Sequence, residues 1–209
     1  MGDIVGYGPF PNECVQLIKK YSDITIAGNH DHAAAGIIDL EYFNIYAKNA
    51  MEWTIHNMTD ENKDFIRGLP LTVSVENSYL VHAAPMNPEK WGYIFTPYQA
   101  QLNFDYFSEN YCFIGHSHIP IIFKNNPDKE PTTLYNTELE FQPDSKYIIN
   151  VGSVGQPRDH LASSAFGILD TDTHSFRFER VEYDVYSTQK AMMARDFPEF
   201  LIERLKYGR

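Results

Sequence analysis

Short apolar runs that end at polar side chains able to bind a metal or a substrate recur along this chain. The runs and the residues that follow them are Ile24–Ala27 before Gly28-Asn29-His30-Asp31, Tyr79–Val81 before His82, Tyr111–Ile114 before Gly115-His116-Ser117-His118, and Tyr147–Ile149 before Asn150. A β-branched or aromatic run of this length is typical of a buried strand. Because ligand sites of α/β sheets lie beyond the carboxyl ends of strands, we predict that these strand ends converge on one crevice.

The remaining pattern predicts helices mainly in the first half of the chain and strands in the second. Pro11 opens a helix with Val15, Leu17, Ile18 and Tyr21 on its apolar face. Further helices are predicted over 39–57, 59–68, 97–107, 187–195 and 198–206. Further strands are predicted over 71–75, 79–82, 119–123, 165–169 and 175–183, with an edge hairpin over 132–141 inside a polar stretch, 124–145. This order favours a layered α/β fold, and the absence of a linker predicts a single domain over residues 1–209.

Charge and composition narrow the classes of partner. The chain has 209 residues and a net charge of −11, which argues against binding to a nucleic-acid polymer. A small phosphorylated substrate remains compatible if a bound cation supplies positive charge locally. No apolar run is long enough to span a bilayer and no signal segment opens the chain, so we expect no membrane association. Cys14 and Cys112 lack metal-type spacing and are interpreted as buried thiols of a cytoplasmic protein.

The residues at the strand ends favour a metal site. In extended chain, His116 and His118 would place both rings on one face, where they could bind one ion or two adjacent ions. Oxygen and nitrogen ligands without thiolate suit Mn, Fe, Ni or Zn. A carboxylate that bridges two ions about 3.5–4 Å apart is a device of phosphatases, and Asp3 is the natural bridge.

Structural interpretations stay open beside the functional ones. Residues 28–31 could form a polar turn in which Asp31 caps the following helix, and His82 could be a core histidine. Asn150 and Ser153 are interpreted as turn residues, and Arg158 as a possible substrate contact. Four histidines match no motif and are interpreted as surface or packing residues: His32, His56, His160 and His174.

Taken together, these residues resemble a known family. Gly2-Asp3, Gly28-Asn29-His30-Asp31, His82 and Gly115-His116-Ser117-His118 look like four of the five motifs of the calcineurin-like metallophosphoesterases. The segments 2–9, 150–158 and 203–205 are more closely similar to the small bacterial and archaeal phosphoesterases of that superfamily. The resemblance covers essentially all of the chain. It implies a four-layer α/β/β/α sandwich of two mixed sheets flanked by helices.

The resemblance also implies a reaction, the hydrolysis of phosphate mono- or diesters by a metal-bound hydroxide. Asp3 would bridge two divalent ions, with manganese the first choice. Asn29, His82 and His116 would complete one metal site, and His118 would belong to the other. His30 would act as general acid toward the leaving oxygen and would be oriented by Asp31.

One family motif, an Asp-x-His at the end of an initial strand, has no counterpart here. We therefore expect a chain that lacks the first strand–helix unit. The sequence is interpreted as a fragment or a mis-started reading frame, with a naturally reduced protein as the alternative. If one metal site lacks its ligands, the chain could instead be an inactive scaffold or binding protein that keeps the fold.

Overall fold

The computed structural model describes residues 1–126 and 128–209 and contains two β-sheets with helices around them. The strands are β1 (Thr72–Val75), β2 (Ser78–Val81), β3 (Tyr111–Ile114), β4 (Ile121–Asn126), β5 (Lys129–Leu134), β6 (Glu138–Glu140), β7 (Tyr147–Asn150), β8 (Ser164–Asp170) and β9 (Ser175–Val181). The α-helices are α1 (Pro11–Tyr21), α2 (Asn29–Ala34), α3 (Ile45–Asn57), α4 (Asp60–Arg67), α5 (Pro97–Gln101), α6 (Val185–Met193) and α7 (Glu199–Glu203). The prediction of two sheets flanked by helices is confirmed.

The larger sheet has the strand order β1-β2-β3-β7-β4-β5. Its central strands β2, β3 and β7 run parallel, and the other neighbouring pairs are antiparallel. Ile114 pairs with Asn150 at the carboxyl end of β3 and β7, and the Gly115 amide donates to the His82 carbonyl at 2.8 Å. Three of the predicted strand ends therefore do meet at one edge of this sheet.

Both faces of the larger sheet are covered, which explains its continuous apolar strands. Tyr111 and Phe113 pack toward Phe176 of the antiparallel β6-β9-β8 sheet, while Cys112 and Ile114 pack against Phe104 and its neighbours on the opposite face. Tyr147, Ile148 and Ile149 of β7 are all completely buried. No helix within residues 1–126 and 128–209 is long and apolar enough to cross a membrane.

Some predicted elements differ from the observed ones near the N-terminus. Ile24–Ala27 is not a strand, because its one described backbone bond to a neighbouring segment runs from the Ala27 amide to the Pro70 carbonyl, and a ladder needs a paired partner. The helix predicted over 39–57 begins only at Ile45. The Asn44 side chain accepts from the amides of Tyr46 and Ala47 and so sets a new helix start there.

Other differences reflect partners that a local pattern cannot specify. The hairpin predicted over 132–141 is wrong: β5 pairs with β4, whereas β6 pairs with β9 in the other sheet. The predicted polar stretch 124–145 includes Pro127, which lies outside the described residues. The helix predicted over 97–107 ends at Gln101 and is followed by a 3-10 turn over Phe104–Tyr106. Cys14 is exposed rather than buried, while Cys112 is buried as predicted.

Candidate metal centre

Asp3, His82 and His116 come together at the carboxyl edge of the larger sheet. One side-chain ligand atom from each of the three lies within 4.8 Å of the others. The rings of His82 and His116 have centroids 5.1 Å apart, and His82 Nε2 lies 3.2 Å from Asp3 Oδ2. The parallel register of β2 and β3 brings the two histidines together, because each follows the end of its strand.

Backbone carbonyls orient two of the imidazoles. His82 Nδ1 lies 2.6 Å from the Met1 carbonyl oxygen, and His118 Nδ1 lies 2.7 Å from the Gln156 carbonyl oxygen. A carbonyl can only accept, so Nδ1 must carry the proton in each ring. The Nε2 atom of the neutral ring then presents its lone pair, as in histidines that bind metals.

Three of the predicted ligands have a buried atom with no hydrogen-bond partner among the described residues. The atoms are Asn29 Oδ1, His82 Nε2 and His116 Nε2. Buried polar atoms in folded proteins nearly always have a partner, so an unpartnered set at one place needs an explanation. Two of these atoms belong to the rings beside Asp3, and Asn29 precedes the residue whose amide donates to Asp3. Carboxylate, imidazole and amide donors are of the kinds that fit a divalent cation.

The turn that carries His116 and His118 is not extended, contrary to the sequence prediction. Both residues have left-handed backbone conformations, with φ of 63° and 62°, which are costly for residues other than glycine and concentrate at functional sites. The Asn150 side-chain amide donates to the Gly115 carbonyl and to Ser117 Oγ, and its oxygen accepts from the Gly152 amide at 3.0 Å. Asn150 is therefore a structural brace of this turn.

His118 lies beside the Asp3–His82–His116 group and is not part of it. His118 and Asp3 line a common cavity of about 160 Å³. This cavity extends from the strand ends to Met192 of α6 and to Leu205. The assignment of His118 to a second ion stays a prediction.

Asn29, His30 and Asp31 occupy the first turn of α2 rather than an extended segment. The His30 amide donates to Asp3 Oδ1 at 2.9 Å, so the start of this helix holds the carboxylate. The buried His30 ring lies between the rings of Tyr7 and Phe43, with centroids 4.5 and 5.0 Å away, and its Nδ1 is 3.1 Å from Met51 Sδ.

The Asp31 carboxylate binds backbone amides. It accepts from the amides of Ile4 at 2.9 Å, Val5 at 3.3 Å and Gly28 at 2.9 Å. The described hydrogen bonds include none from Asp31 to the His30 ring, so the predicted orienting contact is not observed. The interpretation of Asp31 as a helix cap is supported, because its bond to the Gly28 amide closes the first turn of α2.

Electrostatics favour the metal-binding protonation states of Asp3, His116 and His118. Burial raises the pKa of the Asp3 carboxyl, but the His82 and His30 imidazoles outweigh burial and the pKa falls well below its usual range. Burial, with help from the His82 charge, lowers the pKa of His116 to about 3. Burial and the Arg158 charge lower the pKa of His118 to about 3. Asp3 is thus a carboxylate at neutral pH, and His116 and His118 are neutral rings.

Burial also shifts the pKa values of His82, Asp31 and His30. It lowers the pKa of the His82 ring, but Asp3 outweighs it and the net pKa is raised. Burial and the neighbouring Asp3 carboxylate raise the pKa of Asp31, against the opposing amide donors. Burial lowers the pKa of His30.

Aromatic residues and backbone groups near the site were not identified from the sequence. Tyr93 stacks on the His116 ring with centroids 4.1 Å apart, and Trp91 packs edge-on against both His32 and His82. The Met1 and Gln156 carbonyls had no sequence signal as partners of histidine, although Gln156 lies in a segment that carried the family resemblance. The unassigned residues His56, His160 and His174 are exposed.

Comparison with known proteins agrees with this geometry. Residues 1–150 match the family model of the calcineurin-like phosphoesterases. The uncharacterized protein MJ0912 from Methanocaldococcus jannaschii is 38% identical over 213 aligned residues, which cover 100% of this chain and 85% of that protein.

Two solved structures are also similar. A metallophosphoesterase from Sphaerobacter thermophilus has a TM-score of 0.88 at 36% identity, with 100% of this chain and 86% of that chain covered. The hypothetical protein PH1004 from Pyrococcus horikoshii OT3 has a TM-score of 0.79 at 20% identity, with 100% and 83% covered, which shows the shared fold. This chain therefore belongs to the calcineurin-like phosphoesterase family, whose members depend on divalent metal ions.

Proposed function

We propose that this protein hydrolyses small phosphate mono- or diesters with the help of divalent cations. The observation that carries the proposal is the meeting of Asp3, His82 and His116, whose ligand atoms lie within 4.8 Å of one another. Asn29 adds a buried, unpartnered oxygen to this set. His118 would bind a second ion, which Asp3 would bridge to the first.

The donor set supports a choice among metals. Carboxylate, amide and imidazole ligands without thiolate suit Mn, Fe, Ni or Zn, and we propose two ions, with manganese preferred. When bound, such ions act as Lewis acids toward phosphoryl oxygens and lower the pKa of bound water. The Asp3 carboxylate and the neutral His116 and His118 rings are in the protonation states that this binding requires.

His30 is the proposed general acid. The hydrogen bond from the His30 backbone amide to Asp3 Oδ1 holds this residue next to the candidate metal ligands. Because its Nδ1 faces Met51 Sδ, Nε2 is the ring nitrogen that we propose acts on a substrate. Since burial lowers the pKa of this ring, the negative charge of a bound phosphate would have to favour the imidazolium form, in which both nitrogens carry a proton. The Nε2 proton of that form would pass to the leaving oxygen, so that alcohols depart as neutral molecules. Asp31 contributes by anchoring residues 4 and 5 to the start of α2 rather than by contacting the ring.

A second candidate is a metal-binding scaffold without catalytic activity. It is favoured by the finding that the described residues contain one three-ligand group, with His118 outside it. Such a protein would bind one equivalent of Mn²⁺ and hydrolyse no phosphate ester.

The test is hydrolysis of p-nitrophenyl phosphate and bis(p-nitrophenyl) phosphate with added Mn²⁺. Activity that is removed by chelation and by His116→Ala supports the proposal. Binding of one Mn²⁺ equivalent with no turnover of either ester supports the scaffold. A small phosphorylated substrate, the absence of nucleic-acid and membrane partners, a cytoplasmic location and a single domain over 1–209 stay predictions.

A further inference from the structure

Backbone groups of Gln156 and Arg158 form hydrogen bonds with His118, one of the candidate metal ligands. The Gln156 carbonyl accepts from His118 Nδ1 at 2.7 Å, and the Arg158 amide donates to the His118 carbonyl at 3.1 Å. These two bonds hold the segment after β7 against the left-handed His118 turn. The side chains of Gln156 and Arg158 therefore have a fixed position relative to the site.

The Gln156 side chain presents an amide donor for which the described part of the chain offers no acceptor. Its Oε1 accepts from Arg158 Nη2 at 2.9 Å and from Nε at 3.3 Å. Only the oxygen end of the amide can accept from a guanidinium, so these bonds settle which end is Nε2. Nε2 is buried with no partner among the described residues, Gln156 is only 4% exposed, and it lines the cavity shared by Asp3 and His118.

Arg158 brings a positive charge next to Gln156, and no carboxylate in the described ranges pairs with it. The chain has 28 acidic and 17 basic residues, yet none of the ion pairs among the described residues includes Arg158. Its half-buried guanidinium lies over the Tyr7 ring, 5.7 Å from the centroid. A partly buried cation without an acidic partner is costly, and it offers a planar set of donors to an anion.

We propose that Gln156 Nε2 and the Arg158 guanidinium form an oxyanion subsite that makes this protein selective for phosphate monoesters. The proposal rests on the proposed function. A monoester carries three terminal oxygens and up to two negative charges, whereas a diester carries two terminal oxygens and one charge. If two terminal oxygens face the metal ligands, only a monoester has a third to accept from Gln156 and Arg158. A diester would instead present an ester oxygen to Gln156 and Arg158, and an ester oxygen is a weak hydrogen-bond acceptor.

The kinetic test compares two esters across matched arginine variants. We expect the wild type with Mn²⁺ to prefer p-nitrophenyl phosphate over bis(p-nitrophenyl) phosphate. Arg158→Met should lower kcat/KM for the monoester by about 10- to 100-fold, the range of a hydrogen bond to a charged group, and change the diester by less than about 3-fold. Arg158→Lys should restore part of the loss. Arg177→Met removes an exposed arginine that pairs with Glu179 and should change neither rate.

A binding test separates the subsite from the reaction. Inorganic phosphate should raise the Tm of the Mn²⁺-loaded wild type more than that of Arg158→Met, which keeps only the metal contacts, whereas dimethyl phosphate should shift the Tm of both proteins equally. An equal fall in kcat/KM for both esters in Arg158→Met would overturn the inference, and so would a wild type that prefers the diester. If the wild type hydrolyses neither ester but phosphate still raises its Tm through Arg158, the proposed reaction is wrong and the anion subsite is supported.

Discussion

His82 and His116 lie edge to face, with ring centroids 5.1 Å apart and planes inclined by 71°. They follow neighbouring parallel strands, β2 and β3, so the sheet itself sets their separation. The His82 ring is fixed on one side by the Met1 carbonyl and faces Asp3 on the other. The proposed metal-binding geometry thus depends on the edge of a buried sheet.

Removal of one of these rings should remove the metal. We expect His116→Ala to weaken Mn²⁺ binding by at least about 100-fold. A ligand atom is lost outright, and the loss of a group that only orients a ligand already costs about 10- to 100-fold. Isothermal titration measures the affinity. His56→Ala is the control, since His56 is exposed on α3 and should leave the affinity unchanged. Unaltered binding in His116→Ala would remove His116 from the ligand set.

The contact between Gly28 and Asp3 gives a second test. A Cβ at Gly28 would overlap the Asp3 side-chain oxygen and amide, so Gly28→Ala should displace the carboxylate and lower both Mn²⁺ affinity and stability. Gly8→Ala is a matched control, because a Cβ at Gly8 meets no atom within 4 Å. Titration with Mn²⁺ and thermal unfolding of both variants measure the difference. Wild-type affinity in Gly28→Ala would show that Asp3 does not bind the ion.

Removal of the Asn150 side chain should lower the stability of the folded protein. Asn150 is fully buried and makes three hydrogen bonds to the turn around Ser117 and to Gly152. Asn150→Ala should therefore lower the free energy of unfolding by about 2–4 kcal/mol, because buried groups lose their partners. Urea unfolding measures the change. The exposed Asn136 provides the control Asn136→Ala, for which a change within about 0.5 kcal/mol is expected.

The proposed general acid should matter most for poor leaving groups. His30→Gln should lower kcat for an alkyl phosphate by about 10²- to 10⁴-fold. The loss for p-nitrophenyl phosphate should be smaller, since p-nitrophenolate departs without a proton. Mn²⁺ affinity should change little, because the Asp3 bond comes from the backbone of residue 30. Equal losses for both substrates would assign His30 a role other than proton donation.

Acid should destabilise the metal-free protein. The pKa values of His116 and His118 are about 3 in the folded chain, against 6.5 for an ordinary histidine. Between these values the unfolded chain binds more protons, so each ring removes up to about 1.4 kcal/mol of stability per unit of falling pH. The lowered pKa of His30 acts in the same direction. The raised pKa values of His82 and Asp31 oppose it but leave a net loss toward pH 5.

Urea unfolding in the presence of a chelator at pH 7, 6 and 5 measures this dependence. His118→Asn removes one of the titrating rings and should flatten the profile. His174→Asn removes an exposed histidine and should not. Stability that rises on acidification would contradict the assignment of His116 and His118 as neutral buried rings.

The local sequence determined most of the buried strands and the chemical types of the candidate ligands. Runs such as Tyr111–Ile114 and Tyr147–Ile149 are apolar at every position, so they could be identified as buried strands, and the polar residues that follow mark where the chain leaves the core. The motifs containing Asp3, Asn29, His82 and His116 were sufficient for the family. These features depend on short-range composition and order, which a sequence displays directly.

Only the tertiary structure decided the partners. Ile24–Ala27 has strand composition but no paired ladder, and β5 and β6 belong to different sheets because their partners lie far along the chain. The bonds of Asp31 to the Ile4 amide, and of His118 Nδ1 to the Gln156 carbonyl, likewise join atoms whose proximity depends on the whole fold. Side-chain type fixes which bonds a residue can make, whereas the packing of distant segments determines which of them it does make.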